Sequence, residues 1–281
     1  MSKQEWTHIL HPRTSWFDIN ISQIWAYRDL ILLFVKRDFV SVYKQTILGP
    51  VWYFIQPLFS TLVFTLIFSR VARIPTDDVP PSLFYMTGIT AWNYFSDCLN
   101  KTSSTFTANA GIFGKVYFPR MVIPLSVIIS NLIKFFIQFS LLLLLAAYYY
   151  SKGANVHPNI AVMLTPVLIL MMAGIGLGAG IIISSLTTKY RDLQYFLAFG
   201  IQLLMYASPI VYPLSMLHGK LRTASMLNPL TSVIEAFKYA YLGSGALDVS
   251  SLLYSFCFML LLLFAGLALF NRVEKSFMDT V

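Results

Sequence analysis

After residue 50 the chain is a succession of long apolar runs separated by short polar turns. About 20 apolar residues in a helix cover the hydrocarbon core of a bilayer. On that rule six spans are expected, over about residues 51–69, 83–99, 121–150, 159–186, 193–212 and 250–270. Asp77, Asp78, Pro80 and Pro81 mark the first turn, residues 152–158 a second, and TTKYRD a third at 187–192. Residues 213–249 are too apolar and aromatic for a free loop. Non-spanning backbone at membrane depth survives only when helical or packed on protein. One or two short re-entrant or outer-face helices are therefore expected there, broken near Pro213 and at Asn228-Pro229.

The first 50 residues have a different pattern. Ser22 is a candidate N-cap for a helix running to about Lys36, in which Trp25, Tyr27, Leu30, Ile31 and Phe34 alternate with Arg28 and Asp29. That segment is too short and too charged to cross a membrane, and an amphipathic interface helix is the better reading. Residues 36–57, KRDFVSVYKQTILGPVWYFIQP, then pass from charge to a continuous apolar run through a turn at Gly49-Pro50. The chain divides accordingly into an arm (1–50), a membrane domain (51–270) and a tail (271–281). The fold class expected is an all-α polytopic membrane protein.

Charge sets the orientation. With both termini inside, the inner segments hold 13 of the 20 lysines and arginines and the outer segments 6, Lys134 falling inside the third span. Lysine and arginine accumulate on the cytoplasmic side, so both termini are expected to be cytoplasmic. The net charge of +8 is thereby assigned to membrane flanks, and nucleic acid is not expected as a partner. Only 11% of residues are charged, against roughly 25% in a soluble domain. No signal peptide is read at the N-terminus, and the first span is expected to serve as its own insertion signal.

Catalytic chemistry is thinly represented. The two cysteines, Cys98 and Cys257, lie in apolar runs, and His8, His11, His157 and His218 lack metal-ligand spacing. No phosphate-cradling G-x-x-x-x-G-K-[ST] occurs. Gly174, Gly176, Gly178 and Gly180 lie inside an apolar span, where small residues serve close helix approach. These absences argue against a membrane-bound transferase, and the lack of internal repeats against a secondary transporter.

Two intramembrane charges stand out. Counting from the cytoplasmic ends of their helices at 1.5 Å per residue, Asp97 and Lys134 both lie roughly 20 Å up. Either they pair between spans 2 and 3, or Asp97 pairs with Lys101 four residues on while Lys134 snorkels. Trp52, Tyr53, Phe54 and Phe59, with Trp92, Tyr94, Phe95, Tyr206 and Tyr212, are ordinary core or lipid-facing rings, or a wall on which sugar faces could stack.

One resemblance covers nearly the whole chain. RDFVSVYKQTILGPVWYFIQP resembles the R-D-x-x-x-x-Y-[KR]-x-[ST]-x-L-G-x-x-W-x-x-x-x-P signature of ABC-2-type permeases that export polysaccharides. GKVYFPRMVIPLS, KYRDL, SPIVYP and LNPLTSVIEAFKYAYLG follow in the same order. Pro50 departs from the usual apolar or aromatic residue after the glycine. The resemblance implies a non-catalytic permease subunit that forms a homodimer in the bacterial inner membrane and holds no cofactor of its own. Two separate ATP-binding cassette subunits would bind ATP and Mg²⁺. The implied substrate is a lipid-linked polysaccharide, O-antigen first; wall teichoic acid, capsule or a small lipid or drug are the alternatives. Arg37, Lys44, Gly49, Pro50, Trp52, Tyr53, Phe59, Tyr206 and Tyr212 would form the gate and path. Phe113, Lys115, Tyr117, Phe118, Arg120, Lys189 and Arg191 would meet the ATPase.

Overall fold

The computed structural model describes residues 21–44, 46–113, 115–116 and 118–280, with backbone alone at 21, 42, 43 and 274–280. Tyr117 lies outside the described residues. Among the described residues there is no strand. Two helices open the chain, α1 (Ile21–Ala26) and α2 (Arg28–Tyr43). They replace the single helix expected to end near Lys36. Ile31, Phe34 and Val35 recur at helical spacing and are buried, so α2 lays one face on the protein, while Leu32 and Leu33 are left exposed.

Gly49 ends the arm at φ +50°, a conformation that suits glycine, and its N–H donates to Thr46 Oγ1 at 3.1 Å. Pro50 follows, where its missing N–H costs nothing in the opening turn of a helix. From Gly49 to Val71 the backbone is continuously helical: α3 (Trp52–Phe64) runs into a π-helical stretch at Thr65–Val71.

The remaining helices are α4 (Pro81–Ser103), α5 (Thr105–Phe113), α6 (Val122–Ser151), α7 (Thr165–Thr187), α8 (Leu193–Ala207), α9 (Gly219–Leu227), α10 (Pro229–Leu242) and α11 (Val249–Thr280). Four helical segments among the described residues are long and apolar enough to cross a membrane: Gly49–Val71, Val122–Ser151, Ile160–Thr187 and Val249–Val273. The other two expected spans depart from that standard for different reasons. At 23 residues α4 is long enough, but Asn93, Asp97, Asn100 and Lys101 make it too polar. Its first half, Leu83 to Trp92, is buried throughout, while Asn93, Asp97 and Lys101 of its second half find polar partners on α6. α8 stops at Ala207 rather than near residue 212, and its 15 residues cover about 22 Å. The last helix runs on through what was expected to be a tail.

The core is the packing of α4, α7 and α11. A Cβ at Gly176 or Gly180 of α7 would lie 3.1 Å from Phe95 O or 2.6 Å from Thr102 Cβ, both on α4. One at Gly178 would lie 2.8 Å from the Leu262 carbonyl carbon of α11. Glycines on two faces of α7 thus let backbones approach on both sides, and a cofactor loop is not what they form. A second cluster, nearer residue 113, joins Phe34 and Val35 of α2 to Phe106, Phe113, Phe118, Val122, Ile181 and Phe270.

Candidate functional site

The arm meets the first span at a charged corner. Arg37 Nη2 lies 2.8 Å from Asp38 Oδ1, and its guanidinium sits 4.7 Å from the centre of the Phe34 ring. Lys44 is exposed at the end of α2. Beyond the hinge, Leu48, Trp52, Ile55, Gln56, Phe59 and Ser60 line a recess of about 710 Å³ along α3. Trp52 and Phe59 are 48% and 66% exposed there. Tyr53 turns the other way, its ring centre 5.8 Å from Lys134 Nζ. α8 presents a row of its own, with Tyr195, Phe196, Phe199, Leu203 and Tyr206 exposed. Tyr212 is half-buried beyond its end.

Between α4 and α6 the structure brings Asp97 and Lys134 together, Nζ donating to Oδ2 at 2.6 Å. Lys101, the local alternative for Asp97, instead donates to Asn131 Oδ1 at 2.9 Å. One turn the other way, Asn93 Nδ2 donates to Gln138 Oε1 at 3.3 Å. The three contacts form a ladder, since α4 advances by four residues per rung while α6 retreats by three or four. Sequence reasoning missed the outer rungs. The signal was present: Asn93, Asp97 and Lys101 share one face of a helix.

At the α5–α6 elbow the residues expected to meet a partner separate into two groups. Phe113 and Phe118 are buried, with ring centres 5.7 Å apart, and Phe118 also meets Phe34 of α2 at 5.9 Å. Arg120 is half-buried over Phe113, at 5.5 Å. Those rings therefore hold α2 to the elbow and present no outer surface, because the aromatic faces are already packed against each other. Lys115, Lys189 and Arg191 are exposed.

A further polar group lies at the opposite end, and the sequence did not single it out. Glu235 and Lys238 of α10 are buried, at 3% and 1% side-chain exposure, with Nζ 3.7 Å from Oε1. Lys238 also donates to the Pro209 carbonyl and stands 3.7 Å from the Phe84 ring centre. Burial pushes the Glu235 carboxyl above the usual carboxylate range and Lys238 down to about 8. Both shifts favour the neutral forms, so loss of hydration outweighs mutual attraction here. One of two lysines in a 37-residue mixed segment, Lys238 gives no hint of this in the sequence, because burial follows from how α10 crosses α4.

Apolar helices of spanning length, polar contacts between helices, and exposed aromatic faces define a polytopic membrane protein, with no metal-holding cluster of His, Cys, Asp or Glu among its described residues. Residues 29–242 match the ABC-2 type transporter family, and the chain belongs to it. It is 27% identical over 264 residues to the O-antigen export system permease protein RfbA of Myxococcus xanthus, covering 93% of this chain and 98% of that one. A Klebsiella pneumoniae RfbA is 29% identical, covering 89% of this chain and 94% of that one. The polysialic acid transport protein KpsM of Escherichia coli is 25% identical, covering 87% and 93%.

Proposed function

We propose that this chain is the membrane subunit of an ATP-driven exporter that carries a lipid-linked polysaccharide, O-antigen first among the candidates, across the bacterial inner membrane. The observation that carries the reading is similarity along nearly the whole chain to O-antigen export permeases, together with the exposed aromatic recess on α3. Two copies pair and work with two ATP-binding subunits, which bind ATP and Mg²⁺. Six spans cross the membrane, α4 among them and α8 completed by the non-helical segment that follows it, with both termini cytoplasmic and α9 and α10 on the outer side.

Each part of the chain then has a task. Lys115, Lys189 and Arg191 meet the ATPase. Its motion enters at the elbow and passes through the Phe113–Phe118–Phe34 contacts to α2. Lys44 and Arg37 hold the diphosphate of the lipid carrier by charge-assisted hydrogen bonds. Gly49-Pro50 lets α3 swing, and Trp52, Phe59 and Tyr206 give the sugar faces a stacking surface without tight binding at any one ring. The Asp97–Lys134 pair keeps α4 and α6 moving as one body.

Similarity to KpsM favours a polysialic acid as the second reading. The test is co-purification of the tagged chain with an ATP-binding cassette subunit from the same cells, and surface glycan in cells where that subunit is inactivated. Glycan still reaching the surface would end the proposal; the polymer that accumulates inside identifies the substrate.

A further inference from the structure

A helix of 15 residues does not reach across a bilayer core of about 30 Å. Beyond Ala207 the chain continues as non-helical backbone, and residues 208–211 are all buried. Non-helical backbone at such depth needs partners for its carbonyls. Lys238 of α10 donates to the Pro209 carbonyl, the Ile210 N–H donates to the Ser208 carbonyl at 2.7 Å, and Asn228 Nδ2 holds the Ser208 hydroxyl at 2.9 Å. Ile210 is wedged against Gly88 of α4, where an added Cβ would lie 3.1 Å from Ile210 Cγ2. Lys238 therefore occupies the place that a bound cation takes at many broken membrane helices.

We propose that Lys238, with Glu235 as its counter-ion, is the positioning residue that closes the outer end of the path, its ammonium pinning residues 208–213 through the Pro209 carbonyl. The geometry holds the segment, and the lost hydration of the ammonium keeps the hold releasable, because the charge regains water when the segment moves. Phe84 supplies a ring face to the same ammonium, and Asp77, in the turn before α4, adds a favourable field. Asp77 is itself fixed by Ser215 Oγ, which donates to Oδ1 at 2.7 Å. The proposal rests on the export reading only for the name of what passes.

The test needs no substrate. Val211 is buried beside Pro209, so Val211→Cys, in a Cys257→Ser background and in lipid nanodiscs open on both faces, reports the state of the segment to a water-soluble maleimide. The signal of the Cys257→Ser chain without the reporter is subtracted. Adding Glu235→Gln and Lys238→Met, which removes both charges together, is expected to raise the labelling rate at least about 10-fold, as for the loss of a hydrogen bond to a charged group. Lys238→Arg is expected to restore the slow rate, since a guanidinium can make the same donation. A Met172→Cys reporter, buried in α7, should stay unlabelled throughout. The proposal is overturned if the neutral pair leaves the rate unchanged or lowers it, if arginine fails to restore it, or if the α7 reporter rises in parallel. Failure of the polysaccharide reading would leave these rates untouched.

Discussion

Lys134 Nζ and Asp97 Oδ2 stand 2.6 Å apart across the interface of α4 and α6, with 15% and 26% of their side chains exposed. Breaking a fully buried ion pair by removing one partner costs about 3–5 kcal/mol. Partial exposure lowers that to about 1–3 kcal/mol here. Lys134→Met and Asp97→Leu should each lower the thermal unfolding midpoint in detergent, and the swap of Asp97→Lys with Lys134→Asp should recover part of the loss. A double swap no better than either single change would mean that the contact carries no coupling energy.

The α7 glycines should be intolerant of a single methyl. Gly180→Ala places a Cβ 2.6 Å from Thr102 Cβ, and over-packing of this kind costs about 1–3 kcal/mol. Gly111→Ala in α5 meets nothing within 4 Å. It should be neutral, or stabilising by up to about 1 kcal/mol through helix propensity. Thermal midpoints of the two variants, compared side by side, check the contrast.

The elbow should separate docking from stability. Lys189→Glu with Arg191→Glu should abolish co-purification of the ATP-binding subunit and leave the midpoint nearly unchanged, since surface substitutions stay within about 0.5 kcal/mol. Phe118→Ala should cost about 3–5 kcal/mol, because a buried ring leaves a cavity, and should loosen α2 in hydrogen exchange. Retained ATPase binding by the charge-reversed variant would remove those residues from the contact.

Along α3, Trp52→Ala and Phe59→Ala should cut glycan export several-fold with little change in midpoint, as both rings are exposed in the recess. Equal loss of stability and export would return them to an ordinary packing role.

The outer pair has a pH signature. Lys238 in the fold sits at about 8, below the ordinary lysine value of 10.5. Between those values the unfolded chain holds a proton that the folded chain has released, so stability rises with pH across that window. The gain should be absent in Lys238→Met, read as the difference of midpoints at pH 8 and pH 10.

Much of this architecture could be read from residue order. Apolar run length set the spanning segments Gly49–Val71, Val122–Ser151, Ile160–Thr187 and Val249–Val273 to within a few residues, since lipid imposes one length on every crossing helix. Asn228-Pro229 marked the break between α9 and α10, because proline has no N–H to continue a helix and its predecessor avoids the helical region. What escaped was set by neighbours. The early end of α8 did carry a mark, which the length of the apolar run concealed: Ser208 precedes Pro209, adopts extended backbone and ends the helix. Lys238 is fixed from α4 and from the chain beyond α8, 29 residues back from it at Pro209. Phe113 and Phe118 resemble surface contacts in a basic loop until α2 folds over them.

The Arg37–Asp38 contact carries a consequence for what can enter. Neighbours in sequence, these two side chains form an internal competitor that no dilution removes. An anion reaching Arg37 must displace a carboxylate already 2.8 Å away. A partly exposed pair of this kind is worth roughly 0.2–1 kcal/mol. A competitor of that size lowers the occupancy of Arg37 by a monovalent anion at most about five-fold. On the export reading proposed above, the corner thus weights the competition by valence, favouring a multiply charged group over the monovalent ions that surround it.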